Sequence, residues 1–340
     1  MFNSARRYIA LLALVLFSNC IRASTNDSIL ITQLLQKLDD LQIKENGIFP
    51  KGAFPSFRMY TPNKSRYKAD VNPFFTGLVA FTLQHLMPDL SPSQQLQAKR
   101  IIERAKSVYP KFKNRKYPER NTYNFWPTDT VQIYPNGGWL NLFNKPQALA
   151  DDLDDTVILL LAQNIDDSIA NKVHDFMQLY RNGLKKKANN IVEKYQGIEA
   201  YSTWFGDKMP IELDVCVQAN ALYFVQYYHM PWSSTDSATL KLITNVIRDK
   251  EYINGANHLS PQYVRPSVVL YHFSRLMALK PIPELESLKA SLVEETEKLL
   301  KDSDLFMDQV LLSTSLLRWG VQPPNLAPHK TKGLATLIED

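Results

Sequence analysis

Five segments of the chain are apolar on almost every helical face, and each begins with polar or charged residues. A helix that is apolar all round has no side suited to water, so each segment is expected to be buried on all sides. The five segments are residues 72–86, 152–163, 213–228, 265–279 and 307–320. Amphipathic stretches lie before and between them. These are residues 29–41, 91–108, 168–184, 237–249 and 285–300.

The repeated order of apolar and amphipathic helices predicts an all-α fold with an inner and an outer ring of helices. We predict a single (α/α)6 toroid over residues 28–325. No segment alternates apolar and polar residues for long enough to require a sheet. The inner helices of such a toroid run parallel, so their N-termini open onto the same end. Asp70, Asp152, Asp154, Asp214 and Asp308 stand at or just before these N-termini.

Because the N-termini open onto the same end, these five acids are expected to converge at one mouth of the fold. The helix N-termini would stabilise their carboxylates there. Each of them is also explained by a simple N-cap or first-turn position. For Asp70 and Asp308 we favour that structural interpretation.

The first residues have the pattern of a secretion signal. Arg6 and Arg7 precede an apolar run at 9–17, which is followed by small and polar residues. The run is too short to span a bilayer as an ordinary anchor. We therefore predict that residues 1–23 are a signal peptide or a lipoprotein leader and that the protein is exported. Cleavage after Ala23 and lipid attachment at Cys20 are both consistent with the pattern, and the lipid would tether the protein to a membrane.

Composition narrows the possible functions. The chain has only 11 Gly against 20 Pro, which disfavours a Gly-rich nucleotide-binding fold. The net charge of +5 falls to +2 when the three arginines of the leader are set aside, so nothing indicates a nucleic-acid partner. Cys216 is the one thiol beyond the leader, and structural zinc sites usually need several. We predict no metal and no cofactor.

The densest chemical feature is the run Asp151-Asp152-Leu153-Asp154-Asp155-Thr156. One N-cap needs only one acid, so capping does not explain four. Mutual repulsion and the apolar helix that follows should raise at least one carboxyl pKa enough to retain a proton at neutral pH. A protonated acid facing an aromatic cavity can protonate an alkene, and Trp and Tyr faces then stabilise the cation.

Residues 152–156 resemble the DxDD(T) acid motif of class II terpene cyclases, a group of α/α-toroid enzymes that includes squalene–hopene cyclase. Residues 74–77 and 213–220 are also similar to helix entries of that superfamily. The resemblance implies that Asp154 donates the proton, that Asp152 and Asp155 tune it, and that the substrate is an isoprenoid polyene. The candidate substrate-binding residues are Trp126, Trp204, Tyr263, Asp214 and Asn220. Further cavity aromatics, proposed by type and position, are Phe125, Trp139, Tyr201 and Phe205.

Several departures keep other functions open. Class II cyclases usually pair two toroids, whereas this chain has length for one, and it lacks their QxxxxxW repeats. Residues 151–155 also fit the DDxxD motif of class I terpene synthases, but no second metal motif follows. Asp214 and Cys216 are similar to the DxC zinc ligands of protein prenyltransferase β-subunits, for which His258 or His272 would complete the site. For Cys216 we favour an ordinary buried thiol.

Two further functions do not depend on these motifs. A secreted toroid can cleave sugars, with Asp154 and Asp214 as separated carboxylates beside aromatic platforms. It can also bind a ligand without any chemistry. The predicted ligand is therefore an isoprenoid-like small molecule or a sugar.

Overall fold

The computed structural model describes residues 25–324 and shows a mostly helical chain, which confirms the predicted class in outline. The predicted leader, including Cys20, and residue 325 lie outside the described residues. The helices are α1 (Thr25–Leu41), α2 (Phe74–Leu86), α3 (Pro92–Lys106), α4 (Leu153–Gln163), α5 (Asp167–Met177), α6 (Val215–Tyr227), α7 (Ser234–Arg248), α8 (Glu251–Asn254), α9 (Ala256–Leu259), α10 (Pro266–Leu279), α11 (Pro283–Glu286), α12 (Lys289–Asp302) and α13 (Phe306–Arg318).

All five apolar segments form helices with ends within two residues of the prediction, namely α2, α4, α6, α10 and α13. They pack in chain order, so that each contacts the next one in this row. Amphipathic helices cover them, with α3 on α2, α7 on α6 and α12 on α13. The apolar helices thus form the centre of the fold, and the amphipathic helices form its outside.

The helices in the middle of this row are buried as predicted, whereas the helices at its ends are partly exposed. Residues 153–162 of α4 and 215–226 of α6 are buried without exception. In α2, however, Phe75 is 48% exposed, and in α13, Met307 is 58% exposed. The prediction that every apolar helix is buried on all faces is therefore wrong for α2 and α13. Both lie at an end of the row, where the packing around them is less complete.

Two amphipathic segments also differ from their predicted extent. The segment at 168–184 leaves the α-helix at Met177, and Gly183 takes a φ of +83°, which a continuing helix does not allow. The segment at 285–300 is divided between α11 and α12.

Five short strands, of two or three residues each, escaped the prediction because a period of two cannot be read over so few positions. β1 (Phe57–Met59) and β2 (Tyr67–Ala69) form an antiparallel hairpin. β3 (Tyr123–Asn124), β4 (Asp151–Asp152) and β5 (Trp204–Phe205) form a second sheet, with β4 in the middle. This sheet ends directly at the start of α4 and so fixes where the acidic run enters the core.

Among the described helices, none combines the length and the apolar character that crossing a membrane requires.

Candidate functional site

The acidic run begins with a helix cap. Asp152 is the N-cap of α4, and its carboxyl accepts a hydrogen bond from the backbone N–H of Asp155 at 2.7 Å. The hydroxyl of Thr156 donates to the carbonyl of Asp152 at 2.6 Å. These two bonds give hydrogen-bond partners to two backbone groups at the start of α4, as expected for an N-cap acid.

Asp151 has a different role in the same run. One of its carboxyl oxygens accepts hydrogen bonds from Asn114 Nδ2 and Thr122 Oγ1, both at 2.5 Å. The other accepts a longer bond, of 3.3 Å, from Asn124 Nδ2. Neutral donors from the neighbouring strand and loop thus hold Asp151, which anchors the small sheet.

Asp154 is the member of the run that reaches other helices. Asn220 on α6 donates from Nδ2 to Asp154 Oδ1 at 2.6 Å, and the hydroxyl of Tyr263 donates to Oδ2. The guanidinium of Arg275 on α10 donates in turn to Asn220 Oδ1. Asp154 is only 7% exposed, and burial raises its pKa, although the bonds from Asn220 and Tyr263 and the charge of Arg275 act in the opposite direction.

Asp152 and Asp155 form a buried pair of acids beside it. Burial raises the pKa of both carboxyls, that of Asp152 to about 7, and repulsion by Asp154 adds to the rise in each. The pKa of Asp155 is raised further by Asp152. Asp155 Oδ1 is buried and accepts no hydrogen bond. A buried carboxylate oxygen without a donor is costly, so the pair is stabilised when it holds a proton. The sequence-based expectation of a proton within this run is therefore supported most directly at Asp152 and Asp155.

Aromatic rings pack around Tyr263, the residue that donates to Asp154. The ring of Tyr263 lies with its centroid 4.8 Å from the imidazole of His272 and 6.1 Å from the ring of Phe74. His272 Nδ1 lies 2.8 Å from the carbonyl of Val268, which assigns the proton of a neutral ring to Nδ1. Burial lowers the pKa of His272 to about 3, so its ring is neutral near pH 7.

Arg275 lies among the aromatic rings deeper in the centre. Its guanidinium carbon lies 5.8 Å from the ring centroids of Phe81 and Tyr223 and 5.7 Å from that of Tyr271. These distances are those of cation–π contacts. A protein cation therefore occupies ring faces of the type that the cyclase resemblance assigns to a carbocation.

Asp214, a predicted ligand-binding residue, is the N-cap of α6 and is fully buried. Its carboxyl accepts bonds from the N–H groups of Cys216 and Val217, from Ser260 Oγ at 2.6 Å and from the N–H of Gln262 at 3.0 Å. Burial still raises its pKa to about 7. Asp214 therefore holds the segment before α10 against the start of α6.

Cys216 is buried, and burial raises the pKa of its thiol well above the ordinary value. Within residues 25–324, no group of three or more His, Cys, Asp or Glu side chains is placed to hold a metal ion. The zinc alternative built on Asp214 and Cys216, with His258 or His272 as a further ligand, gains no support from this geometry.

The remaining predicted aromatic residues are dispersed. Trp126 donates from Nε1 to Asp70 Oδ1 at 2.9 Å and stacks on Tyr134. Trp204 lies in β5 opposite Asp152, and Tyr201 is fully buried, with its hydroxyl donating to Asp236. In the core, Phe205 packs against Phe176 and Tyr180. The half-buried ring of Phe125 lies under the guanidinium of Arg58.

Trp139 lies in a short 3-10 helix, Gly138–Phe143, at the surface and is 71% exposed, so its assignment to a cavity is wrong. Residue type alone cannot distinguish a cavity aromatic from a surface one. The capping interpretation is also wrong for Asp70, because the N-cap of α2 is Pro73 and Asp70 is paired with Arg58. The capping interpretation is correct for Asp308, which lies in the first turn of α13.

Sequence reasoning missed Arg275, the one cation in the buried part of α10. A signal was present, because a charged residue within a helix predicted to be buried on all sides must find a partner. The partner, Asn220, was identified by type, but the pairing between the two helices depends on tertiary structure.

Three surface pockets lie away from the acidic run. A pocket of about 510 Å³ lies between α7 and the start of α11, and one of about 710 Å³ lies at the C-terminal ends of α6 and α10. A third, of about 320 Å³, lies on α12. Asp154 lines none of these three.

A comparison of the chain with models of protein families, with curated proteins and with solved structures found no match.

Proposed function

We propose that this chain is a proton-transfer enzyme on a single α/α toroid, in which Asp154 protonates an apolar, isoprenoid-like substrate. The observation that carries this proposal is the buried carboxyl of Asp154, whose pKa is raised by burial and which accepts hydrogen bonds from two neutral donors, Asn220 and Tyr263. Burial favours retention of the proton, and the donors stabilise the carboxylate left after transfer.

The toroid is supported by the order and direction of the apolar helices. Each contacts the next, with amphipathic helices outside. Their N-terminal ends lie together, because Asp154 reaches Tyr263 before α10, and Asp308 of α13 accepts a hydrogen bond from Arg265 at the start of α10. In addition, Phe81 of α2 lies near Arg275 of α10, which is the type of contact expected across a closed ring.

The proposed step moves one proton. It leaves the Asp154 carboxyl and forms a C–H bond with the π electrons of a substrate double bond, which leaves a carbocation on the neighbouring carbon. Tyr263 and Asn220 remain hydrogen-bonded to the new carboxylate. Cyclisation further requires Arg275 to move away from Phe81, Tyr223 and Tyr271, because two cations cannot share these ring faces.

A second function, ligand binding without chemistry, is favoured by the same cluster. Both oxygens of Asp154 accept hydrogen bonds within the protein, and Arg275 fills the ring faces. Under this alternative, Asp154, Asn220 and Arg275 are a structural link between α4, α6 and α10.

The test is turnover of isoprenoids by the purified full chain and by Asp154→Asn. Squalene, its epoxide and linear polyprenyl alcohols are incubated with each protein, and the products are separated by gas chromatography and identified by mass spectrometry. We expect cyclised or hydrated products from the wild type and none from Asp154→Asn, which keeps the volume and removes the transferable proton. Asp166→Asn, at the exposed N-cap of α5, is the matched control and should retain activity.

Full activity of Asp154→Asn would show that another group supplies the proton. A folded wild type that binds these compounds but converts none of them would favour the binding function.

A further inference from the structure

The β1–β2 hairpin and the loop at 130–148 together form one exposed surface, here called the apolar face. The two segments are joined, since Asn136 Nδ2 donates to the carbonyl of Met59 at 3.1 Å and the N–H of Thr61 donates to Asn136 Oδ1 at 3.1 Å. Its most exposed apolar side chains include Phe57, Met59, Ile133, Trp139, Leu142 and Phe143.

These side chains protrude from the protein. Met59 pairs with Tyr67 across the hairpin and Phe57 lies two positions from Met59, so all three lie on one side of the hairpin. On the loop, the ring of Trp139 packs edge-on against Phe143 at 5.9 Å, and Leu142 is 84% exposed. Exposed apolar groups of this number and size mark an interaction site.

The charge of the apolar face has one sign. The hairpin at 57–69 and the loop at 130–148 contain no Asp or Glu. Arg58 is paired with Asp70, just beyond the hairpin, and lies with Lys68 on the opposite side from Phe57 and Met59. The positive charge of the apolar face is therefore that of Lys64, Arg66 and Lys145. A second copy of the chain would bring the same positive charge, so pairing of two such faces is disfavoured. A surface that is negative outside and apolar beneath would complement both features.

We propose that the apolar face docks onto an anionic lipid bilayer. Trp139, Leu142 and Phe143 enter the interface, where amphipathic aromatic rings are favoured, and the cations contact the headgroups. This inference is independent of the acid chemistry at Asp154, since it uses different residues and requires no turnover.

The test measures binding of the full chain to vesicles of phosphatidylcholine, with and without phosphatidylglycerol. Brominated phosphatidylcholine quenches tryptophan that enters the bilayer, and the difference between the wild type and Trp139→Phe isolates the signal of Trp139. We expect binding that requires the anionic lipid, together with quenching of Trp139. The apolar run at 9–17 is present in every variant, so differences between variants report on the apolar face.

Two pairs of substitutions separate the contributions of positive charge and of apolar burial to vesicle binding. Lys64→Gln with Arg66→Gln should weaken binding by about thirtyfold, because each cation near an anionic surface contributes about 1 kcal/mol. Leu142→Ser with Phe143→Ser should weaken it by at least about tenfold, through the loss of apolar burial. The control is Leu96→Ser with Leu179→Ser, two exposed leucines outside both segments, which should bind like the wild type.

Absence of vesicle binding by the wild type would overturn the proposal and favour a protein partner for this face. Binding that is equal in all variants, or a Trp139 that is not quenched, would overturn it as well.

Discussion

The hydroxyl of Tyr263 donates a hydrogen bond to the carboxyl of Asp154, and so joins the segment before α10 to the first turn of α4 across 109 positions of sequence. The pKa of the Tyr263 hydroxyl is raised well above the ordinary value by burial and by Asp154, which keeps it a donor. Together with the hydrogen bond from Asn220 on α6, this bond fixes the Asp154 carboxyl before any ligand arrives.

Tyr263→Phe is expected to lower the free energy of unfolding by about 1–3 kcal/mol, because it leaves a buried carboxyl oxygen without its donor. Since the lost bond favours the ionised form, the pKa of Asp154 should rise further. Urea unfolding of both proteins measures the first effect. Tyr109→Phe is a matched control, because the Tyr109 hydroxyl is buried and makes no hydrogen bond. Equal losses in the two variants would contradict a specific contribution of the Tyr263 bond.

The second prediction concerns stability against pH. Asp152, Asp154, Asp155 and Asp214 all have a pKa raised by burial in the folded state, that of Asp152 and Asp214 to about 7. The unfolded chain loses these protons near 3.8, while the folded chain keeps them. Stability should therefore be highest near and below pH 3.8 as far as these groups are concerned, and should fall as the pH rises to about 7.

Asp155→Asn should make this decline in the free energy of unfolding less steep by about 1.4 kcal/mol per pH unit. That is the slope contributed by one proton, and the variant leaves a single acid in the pair. The measurement is the urea unfolding free energy at several pH values between 3.8 and about 7. Asp236 acts in the opposite direction at lower pH, since its pKa is lowered by the hydrogen bond from His174 despite burial. Asp89→Asn, at an exposed position at the end of a 3-10 helix, is the control. An unchanged profile in Asp155→Asn would refute the shared proton.

The third prediction concerns the thiol of Cys216. It is fully buried and its pKa is raised by burial, so a thiol reagent should not label the folded protein and should label it fully in denaturant. The experiment uses Cys20→Ser, which leaves Cys216 as the one thiol in the chain. Rapid labelling under native conditions would contradict the packing of α6.

The helix entries could be predicted because their signals are local. Apolar runs predicted all five apolar helices, and the acids Asp152 and Asp214 became N-caps as their positions implied. The short strands around Asp151 could not be predicted, because β4 pairs with β3, about 30 positions earlier in the chain, and with β5, about 50 positions later.

The site was predictable by type but not by arrangement. Asn220 and Tyr263 were named as ligand contacts, and the structure places both on Asp154 itself. Trp139 carried the same aromatic signal and lies on the surface. What separates these residues is the packing of α4, α6 and α10, which no single segment encodes.

The last prediction tests that packing at Gly77, where α2 crosses α4. A Cβ at this position would lie 2.7 Å from Leu159 Cδ2 and 3.3 Å from Ile158 Cγ2, so the fully buried Leu159 side chain must shift to admit it. Gly77→Ala gains about 1 kcal/mol of helix propensity, but overpacking a core contact costs about 1–3 kcal/mol. We therefore expect a net loss of stability, measured by urea unfolding. Gly197→Ala is the control, because no atom lies within 4 Å of its added Cβ. If Gly77→Ala is more stable than the wild type, α2 and α4 do not approach as closely as the structure shows.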